Sequence, residues 1–135
     1  MSVVSASCHC GAVRFEVEEP TWVMDCNCSK CRLYGGLWAY YPQREVKFAS
    51  KPYTFTYMWG DHMLEFHHCR TCGCATHMTQ VGTDDAEKIA VNARLIRGLD
   101  PKRTRLVQKN NGNDGVFWTK TDQPILPSHD TPQKT

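Results

Sequence analysis

The chain has 135 residues, of which 41% are hydrophobic and 22% charged, and its formal net charge is +2. This length favours a single domain with a modest core. The basic residues are scattered along the chain, which argues against a nucleic-acid partner. No apolar run approaches the roughly 18 residues of a membrane span, and the first residues lack a signal-peptide pattern, so we expect a cytoplasmic protein without a membrane partner.

Alternation of apolar and polar residues predicts strands along most of the chain. In chain order we predict a strand, a short helix, five further strands and a second short helix: 12–17, a helix from near Ser29 to Tyr34, 37–41, 53–57, 63–67, 74–80, 88–95 and a helix over 95–99. The composition becomes polar from about Thr119. We therefore expect an all-β domain over residues 1–120, with one or two short helices, and a polar tail over 121–135.

Eight cysteines form three tight clusters in the sequence. Their spacings are C-x-C, C-x-C-x2-C and C-x2-C-x-C: Cys8 and Cys10, then Cys26, Cys28 and Cys31, then Cys69, Cys72 and Cys74. In a reducing compartment such clusters indicate metal binding or catalysis. The alternative, a disulfide-linked scaffold, requires export, and the chain shows no signal for export.

The simplest partition of the cysteines gives two zinc ions per chain. Cys8 and Cys10 would join Cys69 and Cys72 in a closed site of four thiolates, which is typical of structural zinc. The second cluster, Cys26, Cys28 and Cys31, would supply three ligands and leave a position open for catalysis. Three thiolates make zinc a weak Lewis acid, so this site is better suited to exchanging a thiolate than to generating hydroxide.

Cys74 is left over by this partition, and three interpretations of it remain. It could close the second zinc site as a fourth ligand, pack as a small buried hydrophobic residue, or serve as a reactive thiol. Closure by Cys74 would make both zinc sites structural.

Three motifs resemble a known family at its order and spacing: Cys8-His-Cys-Gly-Ala-Val13, Cys26-Asn-Cys-Ser-Lys-Cys-Arg32 and His68-Cys-Arg-Thr-Cys-Gly73. The family is that of the glutathione-dependent formaldehyde-activating enzymes, which shares a domain with centromere protein V, and the resemblance covers about residues 5–120. It implies an all-β fold of the β-tent type and the same division of the cysteines between two zinc ions. It also implies the formation of S-hydroxymethylglutathione from formaldehyde and glutathione, which is a carbon–sulfur lyase reaction run in reverse.

Several polar residues near the clusters are further candidates. Arg32 is a candidate to bind a substrate carboxylate, and with Lys30 it could offset thiolate charge; the alternative is a solvated basic pair. His67, His68 and His77 lie close to the third cluster. Because neighbouring strand residues face opposite ways, one of the first two is expected to be a packed histidine or one that orients a metal ligand. A general acid or base among the histidines is the other option.

The sequence therefore predicts a zinc-dependent enzyme of the carbon–sulfur lyase type that acts on an adduct like S-hydroxymethylglutathione. Its partners would be a small thiol such as glutathione and an aldehyde, and its catalytic ligands Cys26, Cys28 and Cys31. The oligomeric state is not predicted. The alternatives are a non-catalytic, zinc-stabilised protein-binding module and thiol redox chemistry at Cys74.

Overall fold

A computed structural model describes residues 2–26, 28, 30–59, 62–81 and 87–109 of the chain. Within these ranges the chain forms strands, one α-helix and two 3₁₀-helices. No described helix is long and apolar enough to cross a membrane. The predicted tail over 121–135 lies outside the described residues, so the division into a domain and a tail stays a prediction.

The strands are short, and their bounds follow in chain order. They are β1 Val3–Ser7, β2 Arg14–Glu18, β3 Trp22–Cys26, β4 Trp38–Pro42, β5 Lys47–Phe48, β6 Thr54–Tyr57, β7 Leu64–Cys69, β8 Ala75–Gln80, β9 Lys88–Asn92 and β10 Arg105–Lys109. Helix α1 spans Cys31–Tyr34, and the 3₁₀-helices span Gln43–Glu45 and Ala93–Leu95.

The strands form two sheets. A three-stranded sheet has the order β1-β2-β5, and a seven-stranded sheet has the order β10-β3-β4-β9-β8-β7-β6. Neighbouring strands are antiparallel except β3 and β10, which are parallel. The predicted all-β class, which the resemblance describes as a β-tent, is confirmed.

The main core lies between the two sheets. In β2 the alternation of Arg14–Glu18 buries Phe15 and Val17 and exposes the charged residues between them. These two side chains pack against Ala39 and Val91 of the seven-stranded sheet, together with Ala6, Val23 and Ile89. We call this side of the larger sheet its inner face.

The opposite side of the seven-stranded sheet, here called the outer face, carries a second apolar cluster. The register places Met24 opposite Trp38, Phe66 opposite Met78, and Met78 opposite Ala90. Paired residues share one face of a sheet, so these five side chains lie together. Cys26 and Cys31 belong to the same cluster, and the outer face therefore holds the cysteines of the second predicted zinc site.

One of the two predicted helices forms, and the other is wrong. The predicted helix over 95–99 does not form, because residues 93–95 make a single 3₁₀ turn and Ile96 then bridges to Ala6 of β1. The Asn92 side chain accepts a hydrogen bond from the Arg94 amide and thereby ends β9 before residue 95. Helix α1 begins at Cys31 with Lys30 at the N-cap and no capping side chain; the expected cap, Ser29, lies outside the described residues.

The sequence pattern did not predict four of the strands, β1, β3, β5 and β10. Strand β3 shows one reason. Val23 is buried on the inner face, while Asp25 and Cys26 are both buried at the end of the strand. A strand buried on both sides lacks the alternation on which the prediction depended. Strand β10 is held by parallel pairing with β3, about 80 residues earlier in the chain, which local sequence does not encode.

Two histidines stack on the inner side of the β7–β8 pair. The ring centroids of His67 and His77 are 4.1 Å apart, with an angle of 12° between the planes. His67 hydrogen-bonds the hydroxyls of Thr54 and Thr79, and His77 that of Thr76. Burial, with a smaller contribution from His67, lowers the pKa of His77 to about 3. The folded state therefore favours a neutral imidazole at residue 77.

We predict that His77 makes the fold sensitive to mild acid. Its stabilising contribution is present above the unfolded pKa of about 6.5 and is lost as the pH falls towards the folded value, at about 1.4 kcal/mol per pH unit. We expect urea unfolding to show that, between pH 7 and pH 5, the free energy of unfolding falls by roughly 2 kcal/mol more in the wild type than in His77→Gln. The exposed residue His62 supplies the control variant His62→Gln, which should follow the wild type. Parallel curves for the wild type and His77→Gln would contradict the prediction.

Candidate functional site

Four cysteines from two distant parts of the described chain meet at one point, here called the first thiol cluster. Cys8 follows β1, Cys10 lies in the next turn, Cys69 ends β7, and Cys72 lies in the turn before β8. Their Sγ atoms all lie within 4.8 Å of one another. The Sγ–Sγ distance is 3.7 Å for Cys8 and Cys10 and 3.6 Å for Cys10 and Cys69.

This geometry fits a zinc ion. Four sulfurs at a Zn–S distance of about 2.3 Å in a tetrahedron are separated by about 3.8 Å. The observed separations between Cys10 and its two neighbours are close to that value. The arrangement thus agrees with the partition of Cys8, Cys10, Cys69 and Cys72 predicted from the sequence, and this set of donors is consistent with zinc.

Backbone amides of the two turns surround the sulfurs. The amide of Val13 donates to Cys8 Sγ at 3.3 Å, and that of Thr71 donates to Cys69 Sγ at 3.4 Å. Burial opposes ionisation of Cys72, but donation from the amides of Cys74 and Cys10 outweighs it and lowers the pKa of Cys72 to about 5. Amide donors of this kind stabilise thiolates, which are the form that binds metal.

A glycine follows each cysteine pair and lets the turn close. Gly11 and Gly73 have φ values of 85° and 81°, which favour glycine. The amide of Gly11 donates to the Cys8 carbonyl, and that of Gly73 donates to the Cys69 carbonyl. The Cys-Gly pairs in the sequence therefore mark two similar turns that present sulfurs to the same point.

Cys74 lies beside the first thiol cluster. It packs against the group formed by Cys8, Val13 and Cys69, and it neighbours the amide of His9 and the thiol of Cys72. Among the described residues, the second group of converging metal donors consists of Cys26, Cys28 and Cys31, without Cys74. The geometry thus favours a fifth thiol at the first cluster over closure of the second.

The second thiol cluster comprises Cys26 at the end of β3, Cys28 after it, and Cys31 at the start of α1. The amide of Cys31 donates to Cys28 Sγ at 3.3 Å, and the Arg32 amide donates to the Cys28 carbonyl. Cys26 and Cys31 are buried, whereas Cys28 is partly exposed. Hydrogen bonds from the Cys26 and Cys31 thiols lower the pKa of Cys28. Three sulfurs converge here with one side towards solvent.

Lys30 brings a positive charge to the second thiol cluster. Its side chain is 9% exposed, and its Nζ atom lies 2.8 Å from the centroid of the Phe66 ring. Burial lowers the pKa of Lys30, while the negative charges of Cys31, Cys28 and Cys26 oppose that shift. Arg32, the residue predicted to bind a carboxylate, has its Nε and Nη1 atoms buried. Lys30 is thus a cation held beside the three thiols, and the role of Arg32 at a substrate carboxylate stays a prediction.

The outer face also holds a tyrosine–histidine pair that the sequence analysis did not identify. The Tyr34 hydroxyl lies 2.9 Å from His68 Nε2, and the His68 ring stacks on Phe55 with centroids 4.8 Å apart. Burial and the charge of Lys30 lower the pKa of His68. The signal in the sequence was the alternation along β7, which separates His68 on this face from His67 on the other.

A cavity of about 300 Å³ opens on the outer face. Its walls include Tyr40, Leu64, Met78, Gln80 and Ala90. Met78 and Ala90 belong to the same buried apolar cluster as Cys26 and Cys31. The cavity therefore borders the apolar cluster that contains two of the three cysteines.

Comparison with known proteins identifies a family and solved structures similar to this chain. A similar crystal structure is that of a Rhodobacter sphaeroides protein studied by structural genomics, with a TM-score of 0.62 and 28% sequence identity over 77% of this chain and 97% of that one. The family model for the glutathione-dependent formaldehyde-activating enzyme matches residues 3–109, a range that contains both thiol clusters. The chain belongs to the glutathione-dependent formaldehyde-activating enzyme family.

Proposed function

We propose that the protein is a zinc-dependent enzyme that makes or breaks the bond between a thiol sulfur and an aldehyde carbon. The reaction is of the carbon–sulfur lyase type, with glutathione as the thiol and an adduct like S-hydroxymethylglutathione. The observation that carries this proposal is the difference between the clusters: four converging thiols in the first and three in the second. Four donors complete a zinc site, whereas three leave one position free.

In this proposal each cluster would hold one zinc ion. Cys8, Cys10, Cys69 and Cys72 would hold the structural ion, and Cys26, Cys28 and Cys31 the catalytic one. A zinc ion at the second cluster would supply a Lewis acid and a template for thiol and aldehyde. The chain's own residues would then decide which substrates enter and how they are oriented.

The proposed addition balances without an oxidant or reductant. The thiol sulfur bonds to the carbonyl carbon, the C=O double bond becomes a C–OH single bond, and the thiol proton ends on that oxygen. Lys30, buried beside the three thiols, offsets negative charge on the incoming sulfur. Tyr34 and His68 border the same face as a hydroxyl–imidazole pair. We place the reaction in the cytoplasm, where thiols are kept reduced.

A binding module is the second candidate, favoured by exposed aromatic residues on the edge strand β6. Tyr53, Phe55, Tyr57 and Trp59 alternate along that strand and its continuation, and each is more than two-fifths exposed. Alternation places them on one side of the strand. Full zinc loading without any thiol binding or turnover would favour this candidate over the enzyme.

The two clusters should respond differently to loss of a cysteine. Cys69→Ser should unfold most of the chain, because structural zinc contributes about 10–16 kcal/mol, as much as the whole stability of a domain. Cys28→Ser should keep the fold and reduce the zinc content from two ions to one. Native mass spectrometry with circular dichroism measures both properties, and Cys74→Ser serves as the control with two ions. A folded Cys69→Ser protein that holds two zinc ions would contradict the assignment.

Turnover should depend on the second cluster. With reduced glutathione and formaldehyde, Cys28→Ser should lower the rate of S-hydroxymethylglutathione formation at least about 100-fold, because one of three proposed metal ligands is lost. NMR exchange spectroscopy measures this rate, and the rate of the uncatalysed reaction is subtracted. Cys74→Ser should retain the wild-type rate; a Cys74→Ser protein without activity would instead assign the chemistry to that thiol.

Lys30 should assist through its charge. Lys30→Met keeps an apolar side chain over Phe66 and removes the ammonium group, so kcat/KM should fall about tenfold while the urea midpoint changes little. Lys51→Met, at an exposed position, is the matched control and should behave as the wild type. Unchanged kcat/KM in Lys30→Met would rule out an electrostatic role.

A further inference from the structure

The cavity on the outer face is large for the smallest aldehyde. Its volume is about 300 Å³, while a water molecule occupies about 30 Å³ in the liquid. A hydroxymethyl group has two non-hydrogen atoms, so an adduct of formaldehyde would leave most of this space unfilled. The size of the cavity therefore points to a larger group on the adduct.

The lining of the cavity is mainly apolar. Leu64, Met78 and Ala90 supply aliphatic and thioether surface, and Tyr40 supplies an aromatic wall, while Gln80 and Lys88 are the polar members. The carboxylates and ammonium group of glutathione are strongly hydrated, and an apolar pocket offers no compensation for removing that water. The group that fits these walls is an alkyl chain or an aromatic ring.

The cavity lies within reach of the second thiol cluster. The Tyr40 hydroxyl contacts Met24 Sδ at 3.7 Å, and Met24 precedes Cys26 by two residues on the same face of β3. Two residues along a strand advance about 7 Å. Burial, followed by negative charge on Cys26, raises the pKa of Tyr40 to about 12, which agrees with this proximity. A group several bonds long on a substrate held at the cysteines can reach Tyr40.

We propose that the adduct handled at the second thiol cluster carries an apolar alkyl or aryl substituent, which binds between Tyr40, Leu64, Met78 and Ala90. This inference rests on the proposed function and adds its substrate class. The reaction is RSH + R′CHO giving R–S–CH(OH)–R′, in which the C–S bond forms and the thiol proton passes to the carbonyl oxygen. The apolar group can belong to the aldehyde or to the thiol.

The first test compares three substrate pairs with the zinc-loaded protein: glutathione with formaldehyde, glutathione with hexanal, and hexanethiol with formaldehyde. A single methylene in an apolar pocket is worth about tenfold or more in discrimination. At least one apolar pair should therefore exceed the first pair about tenfold in kcat/KM, and the pair that does so identifies which reactant carries the group. Turnover of the first pair above both others would overturn the inference and leave the proposed function intact. No turnover of any pair would overturn both.

The second test measures binding without chemistry. S-hexylglutathione should bind about tenfold more tightly than S-methylglutathione in isothermal titration calorimetry, and only the hexyl compound should shift the Met78 methyl signal in NMR. Tyr40→Ala should reduce this preference. Tyr53→Ala removes an exposed aromatic residue elsewhere on the sheet, and it should keep the preference. Equal affinities, or an unshifted Met78 signal, would show that the cavity is not used.

Discussion

The convergence of four thiols at the ends of β1 and β7 is the constraint on which the rest of the structure depends. It joins the three-stranded sheet to strand β7 of the seven-stranded sheet, and Cys10 and Cys69 are 59 positions apart in the sequence. Sulfurs less than 4 Å apart cannot all ionise without a cation, because like charges at that distance repel strongly. A cation at this point would therefore stabilise the contact between the sheets. Without it, the glycine turns would bring together thiolates that repel one another.

The alternation of strand residues separates stability from chemistry. The inner face of the seven-stranded sheet packs on the smaller sheet through residues such as Phe15 and Val91 and forms the main core. The outer face carries Cys26 and Cys31 with Trp38 and Met78, and the cavity opens on the same face beside Met78. Each strand contributes side chains to both faces of the sheet. The second thiol cluster therefore lies on the outer face of the same sheet whose inner face forms the main core. It can keep one side towards solvent without weakening the main core.

Neighbouring residues on β7 show how strongly the faces differ. His67 stacks on His77 and bonds threonine hydroxyls, whereas His68 stacks on Phe55 and bonds the Tyr34 hydroxyl. The pairing of β7 with β8 shifts register between these two histidines. One histidine thus packs within the fold, and the other borders the proposed site. Lys30 adds a positive charge beside the three thiols on the outer face.

The sequence alone determined the all-β class, most strands with clear alternation, and the two cysteine groups, because cysteine spacing and period-two patterns are local properties. It did not reveal β3, buried on both sides, or β10, held by a strand distant in the chain. It did not decide whether Cys74 closes the second thiol cluster. It also did not identify the Tyr34–His68 pair or the cavity at Tyr40. Those features were decided by the tertiary structure, because they depend on which strands are neighbours and which face each side chain takes, and residues far apart in sequence fix both.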